Sequence, residues 1–141
     1  MAEYSANDVQ TVAVNGTVIF TEAPVPCTRG LVRHRDDTGS FLLSGYVPTN
    51  YGRGCCCNRI NTANYLVDFG ANIAVPTGGT PGAISVAIQI DGSTIASSTM
   101  TVTPAAVEEF FNVSRAINVP VWRGCCETVS VKNISDQPIL V

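Results

Sequence analysis

Residues 63–92 read ANYLVDFGANIAVPTGGTPGAISVAIQIDG, and the fold turns on how that stretch is parsed. Tyr65, Val67 and Phe69 alternate with Asn64, Leu66 and Asp68. Further on, Ile84, Val86, Ile88 and Ile90 alternate with Ala83, Ser85, Ala87 and Gln89. A period of two, carried by β-branched and aromatic side chains, marks a strand that buries one face. The intervening TGGTPG suits a loop, because glycine supplies positive φ and proline breaks the ladder. The stretch therefore predicts two long strands, with Asp91-Gly92 turning the chain into the next one.

Working outward, the same period recurs. Phe111, Val113, Arg115, Ile117 and Val119 alternate with Phe110, Asn112, Ser114, Ala116 and Asn118, and Val129 and Val131 alternate in residues 128–132. Residues 93–102 are Ser/Thr-rich and predict one short strand or two with a bend. Upstream, residues 9–20 hold two β-rich runs around Asn15-Gly16, a tight-hairpin signal. Pro24 and Pro26 flank Cys27, so that segment is expected to be extended or looped. Leu31-Val32 and FLLSGYVP each begin a further strand, whereas TNYGRGCCCNRINTA reads as loop. No helix of ordinary length is expected. Eight to ten short antiparallel strands with turn signals at steady spacing predict an all-β sandwich or jelly roll. The expected organisation is a polar lead-in over residues 1–8 and a single domain over 9–141.

Composition bounds the function. The chain has 141 residues, enough for one domain with a real core. Charged residues are 13% of it, about half the usual ~25%. A surface short of charge implies contact with other protein. Net charge is −3 with no basic run, which argues against nucleic acid as a partner. An apolar membrane-spanning run and an export signal are both unread, so no membrane insertion is expected. The N-x-S/T triplets at Asn15, Asn112 and Asn133 are then coincidental.

Catalysis is not expected. The one histidine, His34, lies in RHRDD, which reads as a solvated, self-paired face. Glu108-Glu109 diverge, as adjacent residues do, and lead into a strand rather than forming an acid/base pair. The chain has no nucleophile elbow, phosphate loop or dinucleotide fingerprint. Cys27, Cys55, Cys56, Cys57, Cys125 and Cys126 are expected to be structural, whether buried as thiols or cross-linked. Structural zinc favours C-x2-C knuckles. Neighbouring sulfurs in CCC and CC point to opposite faces of a strand, leaving only alternate ones such as Cys55 and Cys57 to converge. No metal and no cofactor are expected. The tetrapeptide RGCC occurs at 53–56 and again at 123–126, suggesting two similar turns at one end of the sandwich.

Residues 70–141, from GANIAVP to DQPILV, together with TVIFTEAPVPCTRGLVRHRDDTGSFLLSG at 17–45, resemble a family of phage structural proteins of gut Firmicutes and their bacteriophages, relatives of the C1q/TNF-like jelly roll. The resemblance implies a compact jelly roll that assembles as a homotrimer, with aromatic and aliphatic side chains packed about the three-fold axis. It also implies a non-enzymatic bacteriophage virion component: a capsid decoration protein, a fibre or a tail-associated knob, whose partners are itself and other virion proteins. Candidate core or trimer contacts are Tyr65, Val67, Phe69, Phe111, Val113, Ile139 and Leu140. The apolar run at 139–141 is expected to form a short edge strand, in its own sheet or along a neighbouring subunit. The competing reading is a module that binds host-surface glycan, with Tyr46, Tyr51 and Trp122 as an aromatic platform. A bacterial extracellular filament subunit is the third.

Overall fold

Alternation of apolar and polar residues becomes a ladder wherever a second such run lies within reach. The computed structural model describes residues 1–45, 62–124 and 126–141. Among them are strands β1 (Glu3–Ser5), β2 (Thr11–Val12), β3 (Glu22–Val25), β4 (Val32–His34), β5 (Phe41–Leu43) and β6 (Thr62–Ile73). They are followed by β7 (Ile84–Ile90), β8 (Ser93–Thr94), β9 (Met100–Val102), β10 (Phe111–Trp122), β11 (Glu127–Asn133) and β12 (Ile139–Leu140). The one helical element among the described residues is a 3-10 turn, Ala96–Ser98, which separates β8 from β9. All pairings are antiparallel, so the protein is an all-β sandwich, as the sequence predicts.

One layer runs β4-β5-β11-β7, with β8 and β9 both on the far side of β7. In the other layer β6 and β10 pair over twelve consecutive positions, from Phe111 opposite Ile73 to Trp122 opposite Thr62. That layer continues past the end of β6, where Ala74 and Leu140 exchange backbone hydrogen bonds of 3.0 and 2.9 Å. β12 pairs on its other side with β2. The order of the second layer is thus β2-β12-β6-β10. β1 and β3 form a separate ribbon, so residues 1–8 include a strand as well as the expected lead-in.

The core lies between the layers. Val12, Phe69, Ile73, Val113, Val119, Val121 and Ile139 come from one side, and Leu43, Ile84, Val86, Ile88, Met100, Val129 and Val131 from the other. Burying each large side chain among them stabilises the fold by roughly 1.5–3 kcal/mol.

Two expectations change. Asn15-Gly16 does make a tight turn, with Asn15 at φ 60° and the Gly16 N–H donating to the Ala13 carbonyl at 2.8 Å. The runs beside it do not pair with each other. Val12 pairs with Ile139, while Thr17 bridges Lys132 and the Val18 N–H donates to Val131. The turn is a corner at which the chain leaves one layer for the other. Gly39 is required there, because a Cβ on it would stand 2.2 Å from the Val18 carbonyl oxygen. The second change concerns β12, which is an interior strand flanked by β2 and Ala74 rather than an edge. Ile139 is fully buried, and Pro138 precedes the strand, where its missing N–H removes no ladder bond.

Asn133 holds the corner. Its buried side-chain amide donates to the carbonyls of Val12, Ala13 and Gln137 at 3.0–3.2 Å and accepts from the Ser135 N–H at 2.9 Å. Its backbone bonds Asn15 and Gly16. One residue of β11 thereby ties β2, the corner and the approach to β12.

Candidate functional site

Strict alternation in β6 and β10 gives their ribbon two faces. Tyr65, Val67, Phe69, Ala71 and Ile73 face the core from β6, opposite Val119, Ile117, Arg115, Val113 and Phe111 of β10. The outward row is Asn64, Leu66, Asp68, Gly70 and Asn72, opposite Pro120, Asn118, Ala116, Ser114 and Asn112, with Trp122 at its end opposite Thr62. Apart from the half-buried Thr62, every one of these outward residues is exposed. Leu66 is 72% exposed and Trp122 66%, which makes them the large apolar side chains of a face that nothing described in the chain covers. Asp68 is the only charged residue in the row. Asn72 and Asn112 meet across it through a 3.2 Å amide bond. With twelve ladder positions beneath it, the row is a rigid, weakly charged platform.

The candidate contacts divide accordingly. Phe69, Val113 and Ile139 are buried, and Tyr65, Val67 and Leu140 are half-buried on the core cluster or beside it. Phe111, expected as a core or trimer contact, is 38% exposed where it opens β10. Arg115 occupies a core-side position opposite Phe69 and is nevertheless exposed. β10 pairs only with β6 among the described residues, so the long side chain can leave the core row around the open edge.

A second cluster gathers at the end of the sandwich where β6 begins. The Tyr65 hydroxyl donates to the Ser44 carbonyl, with the Leu31 carbonyl 3.3 Å away. Burial pushes this phenol above its ordinary range, and the nearby Cys27 thiolate adds to the push. Cys27 shifts the other way. The Val32 N–H, with help from those of Arg29, Leu31 and Gly30, favours the thiolate against the cost of burial. The half-buried Cys27 is thus a thiol that ionises more readily than usual. Cys126 is exposed just before β11, and the Gly124 N–H reaches the Gly45 carbonyl at 3.4 Å. Cys55, Cys56, Cys57 and Cys125, with Tyr46 and Tyr51, lie outside the described residues, as does most of the repeated RGCC.

His34 is not on a solvated face. It stacks on Phe41 at 4.6 Å, lies 5.1 Å from Tyr4 and meets Phe20 edge-on at 6.4 Å, with Nε2 2.9 Å from the Thr38 carbonyl. The charged residues beside it in sequence, Arg33, Arg35, Asp36 and Asp37, are exposed and hid this packing. Glu108 and Glu109 both secure loops: Glu108 accepts from Thr77 Oγ1 at 2.8 Å, and Glu109 accepts from the N–H groups of Ala105 and Ala106. Sequence reading missed Asn133, whose only local signal was a glycosylation-like triplet, and Arg115, which it read only as one position in an alternating run. No family model matches the chain, and no curated protein matches it.

Proposed function

We propose that this chain is a non-enzymatic structural subunit that associates with copies of itself through the outward face of β6 and β10. The carrying observation is that face: eleven exposed positions on a rigid ribbon, with Leu66 and Trp122 uncovered and a single charge. An exposed row so poor in charge is suited to another protein surface rather than to solvent. The orders β2-β12-β6-β10 and β5-β11-β7-β9 support a jelly roll, in which strands from the two halves of the chain interleave in each sheet. With the resemblance to phage structural proteins, the reading is a homotrimeric virion component used for decoration or display. Light scattering on the purified chain tests it. A trimeric mass that falls to the monomer in Leu66→Asp is expected, and a monomeric wild type would sink the proposal.

One observation favours glycan binding as a second reading. Trp122 stands exposed on the same face as the neighbouring Pro120 and Asn64, offering a ring face for stacking and an amide that both donates and accepts. Binding on a glycan array that is lost in Trp122→Ala, by a protein monomeric in solution, would replace assembly with this reading.

A further inference from the structure

β6 and β10 together hold two charged side chains, one acidic and one basic, Asp68 and Arg115. They are close in register, since Asp68 lies opposite Ala116 and Arg115 opposite Phe69. Alternation sends them to opposite faces of the ribbon. Both are exposed, and among the described residues neither has a side-chain hydrogen bond or ion pair. Each is a lone charge on an otherwise neutral ribbon, and the fold keeps them apart.

If the outward face is buried against a second copy, Asp68 enters that contact. A carboxylate buried without a cation is strongly unfavourable. A face-to-face, two-fold contact would bring no cation to it, because the outward row has none. The cation of the ribbon is the exposed Arg115 of β10, which is an edge strand among the described residues. A contact that sets the β10 edge of one copy against the outward face of the next supplies the missing charge. Such a contact is heterologous, and repeating it gives a ring where the rotation between copies closes, as it does in a trimer.

Resting on the assembly reading, we propose that neighbouring copies are keyed by an ion pair between Asp68 on the face of one and Arg115 at the edge of the next. Guanidinium geometry suits the pairing, since its planar fork can hold a carboxylate through two parallel bonds. The same pairing repeats around the ring, so each copy offers one acid and one base.

Charge exchange tests this on the full chain, with self-association followed by sedimentation. Asp68→Arg and Arg115→Asp should each weaken association by roughly tenfold or more, and the double exchange should restore most of it. Asp68→Asn and Arg115→Gln should weaken it less and flatten its dependence on salt. Circular dichroism checks that the variants fold, which their exposed positions allow. A double exchange no stronger than the single ones, or single exchanges that associate like wild type, overturns the ion pair. In that second case Arg115 serves only as an inward-pointing charge that guards an edge strand. Leu66→Asp separates the two failures. If it dissociates the protein while the exchanges do nothing, the face is right and the pair is wrong. If it too leaves association unchanged, or if wild type is monomeric at every concentration, both proposals fall.

Discussion

The outward rows of the two layers are built on the same alternation and end in opposite states. On β7 and β11 the row is Ser85, Ala87 and Gln89 opposite Lys132 and Ser130, and none of these residues is exposed; Ala87 is fully buried. Gln89 donates to the Ser130 hydroxyl at 2.7 Å, and the Ser85 and Thr101 hydroxyls meet at 2.7 Å. On β6 and β10 almost every outward residue is bare. Position explains part of the difference. β7 and β11 are central, with neighbours on both sides, whereas β10 is an edge among the described residues. Cross-strand side-chain bonds add to it, since Gln89 reaches Ser130 and Ser85 reaches Thr101 over the closed row. One layer satisfies its own outer surface, and the other leaves that surface bare.

Placing one charge on either row gives the largest contrast. Ala87→Asp would bury a carboxylate without a partner, and a loss of about 4 kcal/mol is expected, seen as failure to fold or a collapsed urea midpoint. Near-wild-type stability would mean that the β7 row is open after all. Next in size is Asn133→Ala, which cuts the joint between the layers. The buried Val12 carbonyl and the part-buried contacts to Ala13 and Gln137 lose their donor, so about 3 kcal/mol and a melting point lower by roughly 10 °C are expected, measured by calorimetry. A smaller effect sharpens the closed row. Gln89→Ala removes a single bond over Ser130 and should cost about 1 kcal/mol in denaturant titration. Smallest for the subunit is Ala116→Asp, directly opposite Asp68, with less than about 0.5 kcal/mol expected in the monomer. Its effect should appear in the light-scattering mass, because it doubles the negative charge on the proposed interface. A stability loss comparable to that of Ala87→Asp would erase the distinction between the two rows.

Much of this was legible in the chain. The alternation in β6, β7, β10 and β11 named both the strands and the residues that face the core, because period two is a local property. Partnership is not local. Asn15-Gly16 announced its turn, and the turn is there, yet the arms pair with Ile139 and Val131 more than a hundred residues away. Ile139 and Leu140 announced burial, and nothing nearby could say that β2 and Ala74 would flank them. His34 misled for a related reason: its neighbours in sequence are charged, while its neighbours in space are Tyr4, Phe20 and Phe41. At the candidate site, the outward row could be written down from the sequence. That it stays bare, and that Arg115 leaves the core row at an open edge, depends on which strands end a sheet.

The interior place of β12 carries a consequence for biosynthesis. A ribosome makes β2 first, β6 and β10 much later, and β12 after every other strand described here. Until Leu140 has left the exit tunnel, β2 has no ladder partner and the end of β6 is an unpaired edge. The nascent domain therefore holds two open strand edges and an uncapped core through most of its synthesis, a state prone to pairing with other chains. Closure must come in one late, long-range step, which favours slow folding over folding strand by strand. In a cell making many copies at once, that interval is when the chain most needs a chaperone's shelter.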